Sequence, residues 1–105
     1  MLSLVEADNG RTRDIRQGET VRITLPENAT TGYRWAVDQV DESVIEALAS
    51  EPHYAPSGVG SGGEIPFLFR AKAGGAGEIV LKHWRHWAGD SSIIDRFRIQ
   101  LRVQG

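Results

Sequence analysis

From residue 20 onward, apolar and polar side chains alternate with a period of two, the spacing of strands with one face on a core and one in water. In TVRITLP, Val21, Ile23 and Leu25 take one face and Arg22 and Thr24 the other. Tyr33, Trp35 and Val37 alternate in the next run. In EIPFLFRA the set is Ile65, Phe67, Phe69 and Ala71, and Pro66, which brings no ladder donor, predicts a strand start or an edge. The last run is the most regular, with Phe97, Ile99, Leu101 and Val103 facing one way and Arg96, Arg98, Gln100 and Arg102 the other. EIVLKHW is less regular but rich in β-branched and aromatic residues, and LSLVEA predicts a first strand. DESVIEALAS alone reads as helix, with Ser43 or Asp41 as cap and Val44, Ile45 and Leu48 as a short apolar stripe. It predicts one to two helical turns connecting the sheets. AKAGGAGEIV predicts a tight glycine turn between strands.

About six or seven short strands, separated by turn signals every ~8–15 residues, predict an all-β fold, an antiparallel β-sandwich or barrel. The 105-residue length suits an immunoglobulin-like antiparallel β-sandwich with one short helical connection, expected to occupy 1–105 as one domain. Such a fold carries function on the loops at one end. Composition changes little: 40% hydrophobic and 25% charged residues are ordinary for a soluble protein. The absence of cysteine removes disulfides, thiolate metal sites and a cysteine nucleophile. MLSLVEADNGRTRD has no basic stretch followed by a long apolar run, and nothing approaches the ~18 apolar residues of a membrane span. A cytoplasmic location is therefore expected as written, with a periplasmic or secreted one open if a signal was trimmed.

The net charge of −2 is unevenly placed. Residues 1–65 carry five Lys/Arg against eleven Asp/Glu, whereas residues 66–105 carry seven against three. Arg96, Arg98 and Arg102 share one strand face, which reads as a solvated sheet face or, with enough clustering, as an anion or nucleic-acid surface.

Three connections are more elaborate than turns require. In Asn28-Ala29-Thr30-Thr31-Gly32-Tyr33 the β-branched threonines stiffen the loop and Gly32 admits a positive φ. The segment fits either a rigid docking loop or a hydroxyl-rich turn anchored by Tyr33 and Trp35. In Gly60-Ser61-Gly62-Gly63 the glycines let another backbone approach, or leave a loose surface loop. A phosphate cradle fits poorly, because a strand follows rather than a helix N-terminus with its lysine. In Arg85-His86-Trp87 the tryptophan lies just past a strand end, before Ala88-Gly89-Asp90, so it is either an exposed anchor or folded inward. His83 and His86 with Asp90 make a poor metal set, since two histidines three apart on a strand end point to different faces and no fourth ligand is evident. His53 reads as an ordinary loop residue.

The three segments, in this order, resemble the loops of the chagasin-type inhibitors of cysteine peptidases, which read NPTTGY, GxGG and RPW. The resemblance spans nearly the whole chain. It implies an immunoglobulin-like fold whose three loops form one edge that blocks the active-site cleft of a papain-like (cathepsin L-type) cysteine peptidase. Asn28, Ala29, Thr30, Thr31, Gly32 and Tyr33 would then form the central wedge, with Thr30, Thr31 and Gly32 beside the catalytic residues of the enzyme. Gly60, Ser61, Gly62 and Gly63 would run along its non-primed side, and Arg85, His86 and Trp87 would pack on its primed side. It further implies a non-enzymatic monomer without cofactor or metal, with no nucleic-acid or membrane partner. Ala29 and His86 stand where the family has proline, which removes two φ locks. Histidine also changes charge near neutrality, so some pH dependence of binding is expected. Asn28-Ala29-Thr30 is a glycosylation sequon, and a glycan there would cover the wedge. Competing readings are a carbohydrate- or protein-binding adhesion module, a His83/His86/Asp90 metalloenzyme, and a nucleic-acid surface on the arginine face.

Overall fold

The computed structural model describes residues 1–27, 32–50, 53–54 and 63–105, with backbone alone at 49–50 and 53–54. Nine strands appear among the described residues: β1 (Leu2–Leu4), β2 (Thr12–Arg16), β3 (Thr20–Pro26), β4 (Arg34–Val40), β5 (Ile45–Ser50), β6 (His53–Tyr54), β7 (Gly63–Ala71), β8 (Gly75–Trp84) and β9 (Asp95–Gln104). They form two sheets, ordered β1-β3-β7-β5, with β6 also on β7, and β2-β9-β8-β4. Pairing is antiparallel throughout the body of both sheets, as expected; β1 on β3 and β2 on β9 add parallel margins.

The alternation read from the sequence sets the register. Val21, Ile23 and Leu25 of β3 stand opposite Phe69, Phe67 and Ile65 of β7, and Ile79 and Leu81 of β8 stand opposite Ile99 and Phe97 of β9. All these residues are buried in one core shared by the two sheets, joined by Leu4, Ile15 and Trp35. Each such aliphatic or aromatic side chain contributes about 1.5–3 kcal/mol on full burial. A one-residue slip would turn the whole set to water, so the register is strongly determined. On β4 a bulge between Val37 and Gln39 shifts the phase, so that Trp35 and then Val40 face inward while Val37 lies at the rim.

Three local expectations are corrected. DESVIEALAS is not a helix: a turn over 42–44 leads into β5, which pairs with β7 from Ile45 opposite Ala71 onward. Val44 and Ile45 are buried while Leu48 is 44% exposed, so the three do not pack as one helical stripe. Ladder bonds to β7 override a helical propensity that ten residues could not sustain alone. Asp41 still organises the turn, its carbonyl accepting from the N–H groups of Val44 (3.1 Å) and Ile45 (2.9 Å). Pro66 marks neither a strand start nor an edge: it is buried, the fourth residue of β7, opposite Thr24 of β3. On the other side of β7 it stands between the described pairings with β6, at Gly63 and Glu64, and with β5, from Phe67 on; residues 51 and 52, between those two strands, lie outside the described residues. His53, read as a loop residue, has its backbone in β6.

The arginine face of β9 points to solvent, with Arg98 Nε 3.5 Å from Glu78 Oε2 and Arg102 Nε 2.8 Å from Asp14 Oδ1. Cross-strand carboxylates thus offset much of the charge that suggested an anion surface. Among the described residues no helix is long and apolar enough to cross a membrane.

Candidate functional site

Strand direction brings the three singled-out segments to one end of the sandwich. The end of β3 lies beside the start of β7, with Pro26 opposite Glu64. The start of β4 lies beside the end of β8, with Arg34 opposite Trp84, and His83 stands opposite Asp95 at the start of β9. The β3–β4 loop, the segment entering β7 and the β8–β9 connection therefore leave the same end. Asn28, Ala29, Thr30 and Thr31 of the first loop, and Gly60, Ser61 and Gly62 of the second, lie outside the described residues. Gly32, Tyr33, Gly63, Arg85, His86 and Trp87 are described.

Gly32 has φ +79°, the left-handed conformation that glycine was expected to supply. A Cβ built on it would lie 2.9 Å from Trp87 Cη2, so the first loop packs its backbone directly against the indole of the third. Trp87 is nevertheless 64% exposed, as its position past a strand end suggested. Behind this contact runs a stack of rings. His83 lies flat on Trp35 (centroids 4.7 Å, planes 7° apart) and meets Tyr33 edge-on at 5.8 Å; the Arg85 guanidinium carbon sits 4.2 Å from the Tyr33 ring centroid. Such aromatic and cation–π contacts are worth roughly 0.5–1.5 kcal/mol each beyond burial. They join β4, β8 and the third loop beneath the exposed edge.

The third loop is built from two short 3₁₀ turns, His86–Ala88 and Asp90–Ser92. The Ser92 hydroxyl accepts from the Arg85 N–H (3.0 Å) and donates to the Gly89 carbonyl (2.7 Å), closing the loop on itself. Lys82 Nζ, 3.5 Å from the Trp84 ring centroid, lies 3.7 Å from both Asp90 of this loop and Asp38 of β4. His83 is thus engaged with Trp35 and Tyr33, His86 stands edge-on to Trp87 at 5.0 Å, and Asp90 is held by Lys82. The three donors considered for a metal face different neighbours, and no cluster of three His, Asp or Glu suited to a metal ion occurs among the described residues.

One residue at the site was not singled out from the sequence. Glu27 is buried, and its Oε1 accepts the Trp35 N–H at 2.8 Å, while its own N–H donates to the Gly63 carbonyl at 3.0 Å. The Trp35 indole N–H donates to the Pro26 carbonyl at 2.9 Å. The signal for Glu27 was present: the inward parity of Val21, Ile23 and Leu25, continued one step, falls on position 27.

The described residues thus give an immunoglobulin-like sandwich with an exposed tryptophan, Trp87, at the end where the three segments begin or finish. The chain belongs to the chagasin family of peptidase inhibitors: the model for "Chagasin family peptidase inhibitor I42" matches residues 14–101. Amoebiasin-1 of Entamoeba histolytica is 36% identical over 106 residues, covering 98% of this chain and 100% of that protein. Chagasin of Trypanosoma cruzi is 35% identical over 105 residues, covering 95% and 96%. The solution structure of Amebosin matches with a TM-score of 0.81 at 34% identity, over 98% of this chain and 97% of that one. The family is one of inhibitors of cysteine peptidases.

Proposed function

We propose that this protein is a reversible, tight-binding inhibitor of papain-like cysteine peptidases. It acts by filling the active-site cleft with its three-loop edge and performs no chemistry of its own. The observation that carries this reading is the seating of Trp87 on Gly32. Gly32, where the first loop returns toward β4, meets the third loop at Trp87, yet most of the indole is left to a partner. A pre-assembled edge loses little entropy on docking, and an exposed, partly braced tryptophan has the character of a binding hot spot. In this reading Thr30 and Thr31 reach the catalytic residues of the enzyme, flanked by Asn28, Ala29, Gly32 and Tyr33. Gly60 to Gly63 run backbone to backbone along the non-primed side, and Arg85, His86 and Trp87 cover the primed side. Interfaces of this kind bury roughly 800 Å² per partner, a size three loops can supply.

The test is a titration of the folded protein into active-site-titrated papain or a cathepsin L-type enzyme, reading hydrolysis of a fluorogenic peptide. Stoichiometric inhibition, reversed on dilution, is expected. Full activity in the presence of micromolar folded protein, with both enzymes, would overturn the proposal.

A further inference from the structure

Glu27 is the only charged side chain buried among the described residues; the residue is 3% exposed and its carboxylate fully enclosed. A carboxylate at an inward-facing strand position is costly to desolvate, and an apolar residue would satisfy the core better. Departures of this kind from the binary pattern concentrate at functional sites. The surroundings of Glu27 show what it does. Its Oε1 holds the N–H of Trp35, the second residue of β4, at 2.8 Å. Its backbone N–H holds the carbonyl of Gly63, the first residue of β7, at 3.0 Å. One residue therefore fastens the outgoing stem of the first loop to its returning stem, and the same stem to the strand on which the second loop ends.

We infer that Glu27 is a positioning residue of the inhibitory edge, its carboxylate oxygen setting the width of the first-loop stem and so the presentation of that loop relative to the second. The inference rests on the inhibitor reading and adds a residue to it that lies beneath the three loop motifs. The Trp35 N–H is a neutral donor within hydrogen-bond distance of Oε1, and Arg34 Nη1 stands 3.9 Å from Oε2. Glutamine can make the 2.8 Å bond; aspartate, one methylene shorter, cannot.

Four proteins test this: wild type, Glu27→Gln, Glu27→Asp and Glu27→Ala. Two measurements are made on each, the inhibition constant against papain and amide hydrogen exchange of the free protein. Exchange is compared at Trp35 and position 27, which report the stem, and at Ile99 in mid-β9, which reports the core. Expected is inhibition by Glu27→Gln within about threefold of wild type. Glu27→Asp and Glu27→Ala should lose about tenfold or more, as they would if the competent stem geometry fell to roughly a tenth of molecules. Exchange in these two should quicken at the stem while Ile99 stays protected. Inhibition by Glu27→Asp within threefold of wild type would overturn the inference, and so would exchange that quickens equally at Ile99, because a merely structural role loosens the whole sandwich. If Glu27→Ala does not fold, the aspartate variant decides. If wild type itself leaves papain untouched, the inhibitor reading fails, and exchange at Trp35 still establishes or refutes the stem lock.

Discussion

Replacing Gly32 by alanine separates two effects that the structure superimposes at one atom. The first is conformational: at φ +79° a side chain costs about 1–2 kcal/mol. The second is steric. The added Cβ would stand 2.9 Å from Trp87 Cη2 and 3.3 Å from Cζ2, inside the ~3.5–4.0 Å at which carbon atoms pack. Backbone does not yield easily there, so the exposed indole turns away. Gly18 supplies the control, because it has φ +90° in the β2–β3 turn at the opposite end, and an added Cβ there would meet nothing within 4 Å. Gly18→Ala and Gly32→Ala should each lower stability by about 1–2 kcal/mol, or roughly 4–16 °C in Tm for a chain of this size. Inhibition should diverge. If Trp87 is a hot spot worth about 2–4 kcal/mol, its displacement forfeits about half of that, or roughly 5–30-fold in affinity. Calorimetry and papain titration, both on folded samples well below the transition, read the two quantities. A double-mutant cycle sharpens the result: in a Trp87→Ala background, Gly32→Ala should weaken inhibition little further. Equal inhibition constants for Gly18→Ala and Gly32→Ala would refute the reasoning, since the seat of Trp87 would then be immaterial.

Trp87→Ala itself should weaken papain inhibition by tens to several hundred-fold while leaving Tm nearly unchanged, because most of the indole is in water; a loss below threefold would show that Trp87 is no anchor. Phe69→Ala, on β7 and 1% exposed, should cost about 3–5 kcal/mol in a denaturant titration, and less than 1 kcal/mol would contradict the core described. Ser92→Ala removes the hydroxyl that takes the Arg85 N–H and reaches Gly89, so it should slow association with papain several-fold at a stability cost of about 1 kcal/mol; stopped-flow rates equal to wild type would tell against a self-closed third loop.

Where each strand has a covered and an open face, its period-two pattern was legible: Val21 to Leu25 and Phe97 to Val103 fall inward as read. The pattern was silent for β2, because TRDIR places a single residue, Ile15, in the core and draws its stability from ladder bonds to β9. It misled at Ile45 to Ser50, where alanine, leucine and glutamate carry helix propensity but lie within reach of the unpaired side of β7. Pro66 misled because a proline can sit inside a long strand: it is the fourth of the nine residues of β7, opposite Thr24 of β3. At the site, the loop motifs stood out in the sequence because glycine, paired threonines and a tryptophan past a strand end are wasteful in ordinary turns; of these, the exposed Trp87 and the positive φ of Gly32 lie among the described residues. The contact of Gly32 with Trp87 could not be read, being a meeting of segments more than fifty positions apart. Glu27 sits between these cases: its inward parity was visible, but a charged residue before a loop looks like the polar end of a strand until its partners are known.

The parallel pairing of β2 with β9 also bears on how the molecule assembles. Thr12 to Arg16 find their partners at Gln100 to Gln104, and the Asp14–Arg102 ion pair across this ladder spans 88 positions. Ile15 therefore has no seat beside Val103 until nearly all the intervening chain is in place. During synthesis β2 emerges early, preceded by β1 alone among the strands, and must wait for β9 while β3, β7 and β8 are made. Long-range closure of this kind slows folding, because the entropy of a large loop is spent before any contact rewards it. β3 with β7 and β4 with β8, at whose ends the three loop segments begin or finish, can thus pair earlier, while β2, the second strand of the chain, serves as the final fastening.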